Sequence, residues 1–300
     1  MPQKEMQDRV SFYEQISRNK RNSFILMLAI VAVLILLAYV IGKIYVDSFW
    51  AILILGIIIS ISYTLISYYN SDKIALASVG AKPASLEDYR QLHDTVEGLC
   101  LASGMPKPRI YVMPGEQINA FASGRNPEHS VICVTEGSLS KLNKQELEGV
   151  LGHELSHIAS YDIRFMTLTA VLVGMIAIIS ELFLRSLWLG GRDREKGKGN
   201  AILMLIGVAL AILAPIAVML VQFAISRRRE YAADASSVKF IRSPTGLINA
   251  LKKIKSDTTR IKVSGAVAPL FISDPLKKSL SGLTSTHPAI DDRIKILERM

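Results

Sequence analysis

Four blocks of nearly unbroken apolar residues divide the chain, and the segments between them have a different periodicity. The blocks run from Ser23 to Gly42, from Phe49 to Tyr69, from Phe165 to Ser180 with a continuation to Trp188, and from Ala201 to Ile225. About 20 apolar residues are needed to cross the hydrocarbon core of a bilayer, so the first, second and fourth blocks have the length of spanning helices. The third is shorter. Its clean stretch stops at Ser180, and Glu181 and Arg185 follow at an i,i+4 spacing that lets them pair near an interface. This pattern predicts an integral membrane protein with about four transmembrane helices.

Between the second and third blocks the pattern is that of an α+β unit. Ser85 is placed to cap a helix running through Leu86, Tyr89, Leu92, Val96, Leu99 and Cys100, with Gly104 to end it. Arg109 to Met113 alternates and is β-rich, and Ser130 to Thr135 is a second strand, so a small β-sheet is expected. Asn143 with Glu146 three residues later reads as a capping box. It opens a helix whose apolar positions Leu147, Val150, Leu151, Leu155 and Ile158 recur at helical spacing. Beyond the fourth block a helix from about Pro244 to Ile254, an irregular basic stretch to Leu270 and a last helix opened by Pro288 complete a mainly α-helical chain.

Composition agrees with the blocks. Half of the 300 residues are hydrophobic, and the net charge of +9 is gathered at the block edges, with Arg18, Lys20 and Arg21 before the first and Arg227, Arg228 and Arg229 after the fourth. That placement fits membrane flanks and not nucleic acid. The basic amino terminus predicts a cytoplasmic start, which returns the chain to the cytoplasm near Ser71 and Lys73. The segment from Gly190 to Asn200 disagrees, because it would lie outside while carrying Arg192, Arg194, Lys196 and Lys198 against Asp193 and Glu195. A re-entrant third and fourth pair would, like two full crossings, keep both flanks of that hairpin on one face of the membrane. No small-residue cleavage site follows the first block, so a cleaved signal peptide is not expected. Cys100 and Cys133 are too few for a disulfide framework and are expected to be reduced.

The chemistry is concentrated in Val150 to Ile158, which contains His153-Glu154-Leu155-Ser156-His157. Residues four apart on a helix lie about 40° apart around its axis, so both imidazoles project from one face and can hold one Zn²⁺ ion. Glu154 beside them is placed to take a proton from an attacking water. A third ligand must come from elsewhere. Past the fourth block Glu230 and Asp234 are also four apart, so on a helix Glu230 could complete a His-His-Glu site and Asp234 could accept a hydrogen bond from a liganding imidazole.

These motifs in this order, followed by Thr286-His287-Pro288 and Arg293-Ile294 and preceded by Ile118 to Ala122, resemble the HtpX-like membrane metalloproteases, relatives of the CAAX prenyl endopeptidases. The resemblance runs from the first block to the carboxyl terminus. It implies a zincin-like catalytic domain with one zinc on His153, His157 and Glu230, Glu154 as general base, and Asp234 as partner of a liganding histidine. For His287 and Arg293 it implies substrate binding or stabilisation of the oxyanion. Asn119, Ala120 and Phe121 are expected beside a substrate cleft, where zinc proteases hold a peptide as an added strand. His93 and His129 are read as ordinary helix-face and loop histidines.

The expected organisation is an amino-terminal cytoplasmic extension over 1–22, a transmembrane hairpin over 23–70, and a metalloprotease domain over 71–300 interrupted by a hydrophobic hairpin at 165–225. The expected activity is endopeptidase cleavage of misfolded or damaged membrane proteins by a multi-pass protein of the cell membrane, with the active site facing the cytoplasm. Its expected partners are protein substrates and the lipid bilayer. The competing readings are a processing peptidase for prenylated or other defined carboxyl-terminal substrates, and a zinc-binding membrane scaffold without catalysis.

Overall fold

The computed structural model describes residues 12–44, 49–170, 207, 227–261, 263, 267–273, 275 and 288–300. The third hydrophobic block beyond Ala170, nearly all of the fourth, the charged segment between them, Glu181, Arg185 and His287 lie outside the described residues.

Helix α1 spans Phe12–Ile44 and α2 spans Phe49–Tyr69. α1 begins well before the first apolar block, so residues 12–22 are the start of that helix and not a separate extension. α2 has a mean hydropathy of 2.4 and the length of a membrane span. Its polarity is inverted relative to a helix in water. Ser60, Thr64 and Ser67 are buried, whereas Trp50, Ile54, Leu55, Ile58, Ile59, Leu65 and Ile66 are exposed. The two inward hydroxyls whose bonds are seen satisfy themselves on their own helix, Ser60 Oγ donating to the Gly56 carbonyl and Thr64 Oγ1 to the Ser60 carbonyl. Such an outer face suits hydrocarbon, and the small inner residues permit close helix approach.

α3 (Ser71–Ser78) leads into a four-stranded sheet of β1 (Lys82–Pro83), β2 (Arg109–Met113), β3 (Ala120–Asn126) and β4 (His129–Thr135). The order is β1-β2-β4-β3, with β2 and β4 parallel and the other two pairs antiparallel. β2 and β4 match the predicted strands, while β3 carries almost no strand signal in its Ala-Phe-Ala-Ser-Gly-Arg-Asn sequence. Successive side chains point to opposite faces, and both faces are covered. Ile110, Val112, Ala120, Ala122, Ile132 and Val134 pack with residues of the later helices, among them Leu92, Leu99, Leu151, Leu155 and Leu251. Met113, Phe121, Val131 and Cys133 pack with Leu26 and Ile30 of α1 and with Phe165, Met166 and Leu168. The sheet therefore joins α1 to the rest of the described chain.

α4 runs over Arg90–Ser103 and ends at Gly104, which takes the left-handed conformation (φ 71°) foreseen for it. Its start differs from the expectation. Ser85 makes a local turn with Asp88, accepting from its amide and donating to its carboxylate, and the helix begins only at Arg90. α5 (Glu136–Lys141) follows the sheet, and α6 (Lys144–Ala159) carries the His-Glu-His motif behind the predicted capping box of Asn143 and Glu146. α6 is buried from Gly149 to Ala159, between β3, α4, α7 (Arg227–Ile241) and α8 (Thr245–Ser256). A short 3-10 turn at Ala268–Leu270 and α9 (Ile290–Leu297) complete the described chain.

Candidate active site

Helix geometry brings the two imidazoles of α6 together, with His153 Nε2 and His157 Nε2 3.2 Å apart. α7 passes alongside and presents Glu230, whose carboxylate oxygens lie 3.7 Å from His153 Nε2 and 3.6 Å from His157 Nε2. One ligand atom from each of the three residues falls within 4.8 Å of the others, and all three residues are buried. Ligands around a tetrahedral zinc ion stand about 3.3 Å apart, so the donor set of two nitrogens and one oxygen fits that ion with small adjustments.

Each imidazole is fixed from behind. His153 Nδ1 lies 2.9 Å from Asp234 Oδ1, one helical turn beyond Glu230 on α7. Arg293 of α9 closes on the same carboxylate with Nε at 2.8 Å and Nη2 at 2.6 Å. Its Nη1 stands 3.5 Å from Glu230. Arg293 is only 1% exposed, so it does not lie on a solvated helix face. On the other side His157 Nδ1 lies 3.2 Å from Asp162 Oδ2. Tyr161, with φ 61°, turns the chain after α6 so that Asp162 folds back over the helix end. A non-glycine residue in that region is uncommon and marks a position that the surroundings hold in place.

Glu154 is 1% exposed, and its Oε1 has no hydrogen-bond partner among the described residues. Burial pushes its carboxyl up to about 7, although the Ala122 amide donates to it. Burial and then the Arg293 charge press His153 down to about 4, against Asp234. For His157 burial works the other way from its partners. The hydrogen bond to Asp162 and the charges of Glu230 and Asp162 win and hold it at about 9. Burial also opposes ionisation of Asp234, but Arg293 and His153 bring it down to about 2. Among the described residues four buried carboxyl groups (Glu154, Asp162, Glu230 and Asp234) face two guanidinium groups (Arg229 and Arg293) and the His157 imidazole here, so a divalent cation on the His157 nitrogen would take the place of the proton that these carboxyl groups favour there.

The structure departs from expectation at Asn119, Ala120 and Phe121. These residues are 0–1% exposed, and their strand edge is occupied by the chain itself. Phe271 bridges to Phe121, the Ile272 amide donates to the Ala120 carbonyl, and Asn119 Nδ2 donates to the Ser273 carbonyl. What reaches the motif from β3 is the backbone at Ala122. The sequence reading also missed Asp162. An acid five residues past the second histidine, just after the helix end, was the available signal. His93 and His129 make local contacts, to the Ala84 carbonyl and to Asn126.

The family described as "Peptidase family M48" matches residues 87–300. The chain belongs to that family. A protease HtpX homolog from Thermoanaerobacter pseudethanolicus is 43% identical over 297 residues, covering 97% of this chain and 99% of its own. HtpX homologs from Streptococcus gordonii and Listeria monocytogenes are 40% and 39% identical, each covering 96% of this chain and 99% of their own. The crystal structure of S. mikatae Ste24p superposes with a TM-score of 0.51 at 20% identity, covering 95% of this chain and 66% of that one, and shows that the fold is shared. This M48 peptidase is a metalloprotease, and its candidate metal-holding cluster is His153, His157 and Glu230.

Proposed function

We propose that this M48 peptidase is a membrane-embedded, zinc-dependent endopeptidase that cleaves misfolded or damaged membrane proteins on the cytoplasmic side of the cell membrane. The observation that carries the reading is the convergence of His153, His157 and Glu230 within 4.8 Å beside Glu154, whose Oε1 has no hydrogen-bond partner among the described residues. A site that only bound metal for structural reasons would need no free carboxylate there and would close its coordination with a further side chain.

In this reading His153, His157 and Glu230 hold the ion. Zinc, when bound there, supplies a Lewis acid for the scissile carbonyl and lowers the pKa of an adjacent water. Glu154 accepts the proton of the attacking water and returns it to the leaving amine. Asp234 holds His153 in the tautomer that leaves Nε2 free for the ion, and Arg293 keeps Asp234 ionised, so Arg293 acts through its neighbours and not on substrate. His287 is assigned to substrate or oxyanion binding on the resemblance alone.

Four spans with both flanks of the second hairpin on one side would deliver α6 and α7 to a common site. Support for the cytoplasmic side comes from Asn19, which bonds to Asp162 at the site and lies among Arg18, Lys20 and Arg21. A site so close to the bilayer favours clients already in it, and the HtpX-like resemblance carries the quality-control role. The test compares detergent-purified full-length wild type with Glu154→Gln on a membrane-protein substrate, with and without a chelator. The variant is expected to keep its zinc and lose cleavage by roughly 10²–10⁴-fold, and chelation should abolish wild-type cleavage. Proteolysis that survives in Glu154→Gln would sink the assignment.

A further inference from the structure

Asp162 receives donors from both directions. His157 Nδ1 and Ser160 Oγ lie 3.2 and 2.8 Å from Oδ2. On Oδ1 the donors are Asn19 Nδ2 at 2.7 Å and Arg229 Nε at 3.5 Å. Three hydrogen bonds and the Arg229 ion pair thus hold both oxygens of this carboxylate in place. The short bond on Oδ1 comes from α1, 143 residues away in sequence and part of the helix that runs into the first hydrophobic block. Asn19 is 2% exposed and its second amide proton goes to the Ser160 carbonyl at 2.8 Å, so one side chain clamps both the end of α6 and the carboxylate behind His157. The neighbouring Lys20 sets its ammonium 4.2 Å from the centre of the Tyr161 ring, at the strained turn that delivers Asp162.

We propose that Asn19 is a positioning residue of the metal site. It locks Asp162 against His157 and thereby couples the seating of the membrane hairpin to metal affinity. The physical basis is that a liganding imidazole is oriented by the group on its far nitrogen, so freedom of that group becomes freedom of the ligand. Hydrophobic packing of α1 alone would give no such coupling. It would require only that position 19 fill space, whereas both amide protons here are directed at acceptors of the site. The inference rests on His157 being a metal ligand.

The test measures zinc affinity by competition with a fluorescent chelator in full-length protein in detergent, together with the absorption spectrum of the cobalt-substituted form. Asn19→Ala and Asn19→Asp are expected to weaken zinc binding by about 10–100-fold, the usual effect of losing such an outer contact, and to alter the cobalt spectrum. In an Asp162→Ala background Asn19→Ala should have no further effect on affinity. Leu99→Ala, a packing change on α4 away from α1, should lower thermal stability without changing the zinc constant. If Asn19→Ala and Asn19→Asp bind zinc and cobalt as wild type does, or if the Asn19 and Asp162 effects add, the proposal is overturned. Should Asn19→Ala fail to fold, the near-isosteric Asn19→Asp gives the same reading through charge repulsion with Asp162. A His157→Ala variant that still binds zinc like wild type would instead overturn the ligand assignment itself.

Discussion

His153 and His157 leave the same face of one helix, yet different parts of the protein stand behind them. Behind His153 is a closed pair of opposite charges, Asp234 and Arg293, drawn from α7 and α9 and buried within the catalytic half. Behind His157 is Asp162, held by Ser160, Arg229 and, from the membrane hairpin, Asn19. The first support can form wherever the catalytic half folds. The second is complete only when α1 is seated, because Asn19 supplies one of its donors. Under the proposed ligand set, a change in the seating of α1 would reach the metal through His157 and not through His153.

The comparison is broken most severely at Arg293. Arg293→Ala strands a buried Asp234 without its counter-charge, and removing one partner of such a pair costs about 3–5 kcal/mol. Denaturant unfolding in detergent should show that loss. Arg293→Lys should recover only part of it, because an ammonium cannot reproduce the two-pronged contact. Asn19→Ala leaves Asp162 its other donors, so its cost to stability should be smaller, about 1–3 kcal/mol.

A change that moves α6 bodily should affect both supports together. Gly149 faces the start of α8, and a Cβ there would stand 2.5 Å from the Leu247 backbone nitrogen, which cannot give way as a flexible side chain would. Gly149→Ala should therefore destabilise by about 1–3 kcal/mol and weaken zinc binding along with it. Gly98→Ala, on an open helix surface with nothing within 4 Å, should be neutral or stabilising by up to about 1 kcal/mol.

The smallest expected effect lies outside both supports. Asp257 accepts from the amides of Ile118 and Thr259 and from Thr259 Oγ1, with Lys141 nearby. Against the opposing effect of burial, these donors hold its carboxyl well below the usual range. The folded state thus favours the ionised form. The resulting stability is complete above the unfolded pKa of about 3.9 and fades as pH falls below it. Thermal melts should show this acid loss, and Asp257→Asn should flatten it while leaving the relative behaviour of the two histidine supports unchanged.

What the sequence made legible were features whose partners are close in the chain. The capping box of Asn143 and Glu146, the stop at Gly104, β2, β4 and the facing of His153 and His157 all depend on residues three to seven apart or on strict alternation. β3 was hidden because a strand buried on both faces has no alternation to read and its small residues have low strand propensity. Ser85 announced a helix but formed a turn five residues ahead of it, since a local hydroxyl-to-backbone bond satisfies either structure. Asn119 to Phe121 were expected beside a substrate cleft, and whether their strand edge is open depends on residues 271–273, about 150 positions away.

By itself, then, the sequence determined a zinc-type motif on a capped helix, an apolar hairpin and the candidate residues Glu230 and Asp234, because helical periodicity and hydrocarbon thickness are local constraints. Tertiary structure alone decided which carboxylate stands behind which imidazole, that Arg293 is buried on Asp234, and that Asn19 reaches the site from α1. Apart from Asp162, which lies five residues past His157, those pairings are matters of distance between segments 59 to 143 residues apart, and a lone asparagine or arginine carries no periodic signal to announce its partner.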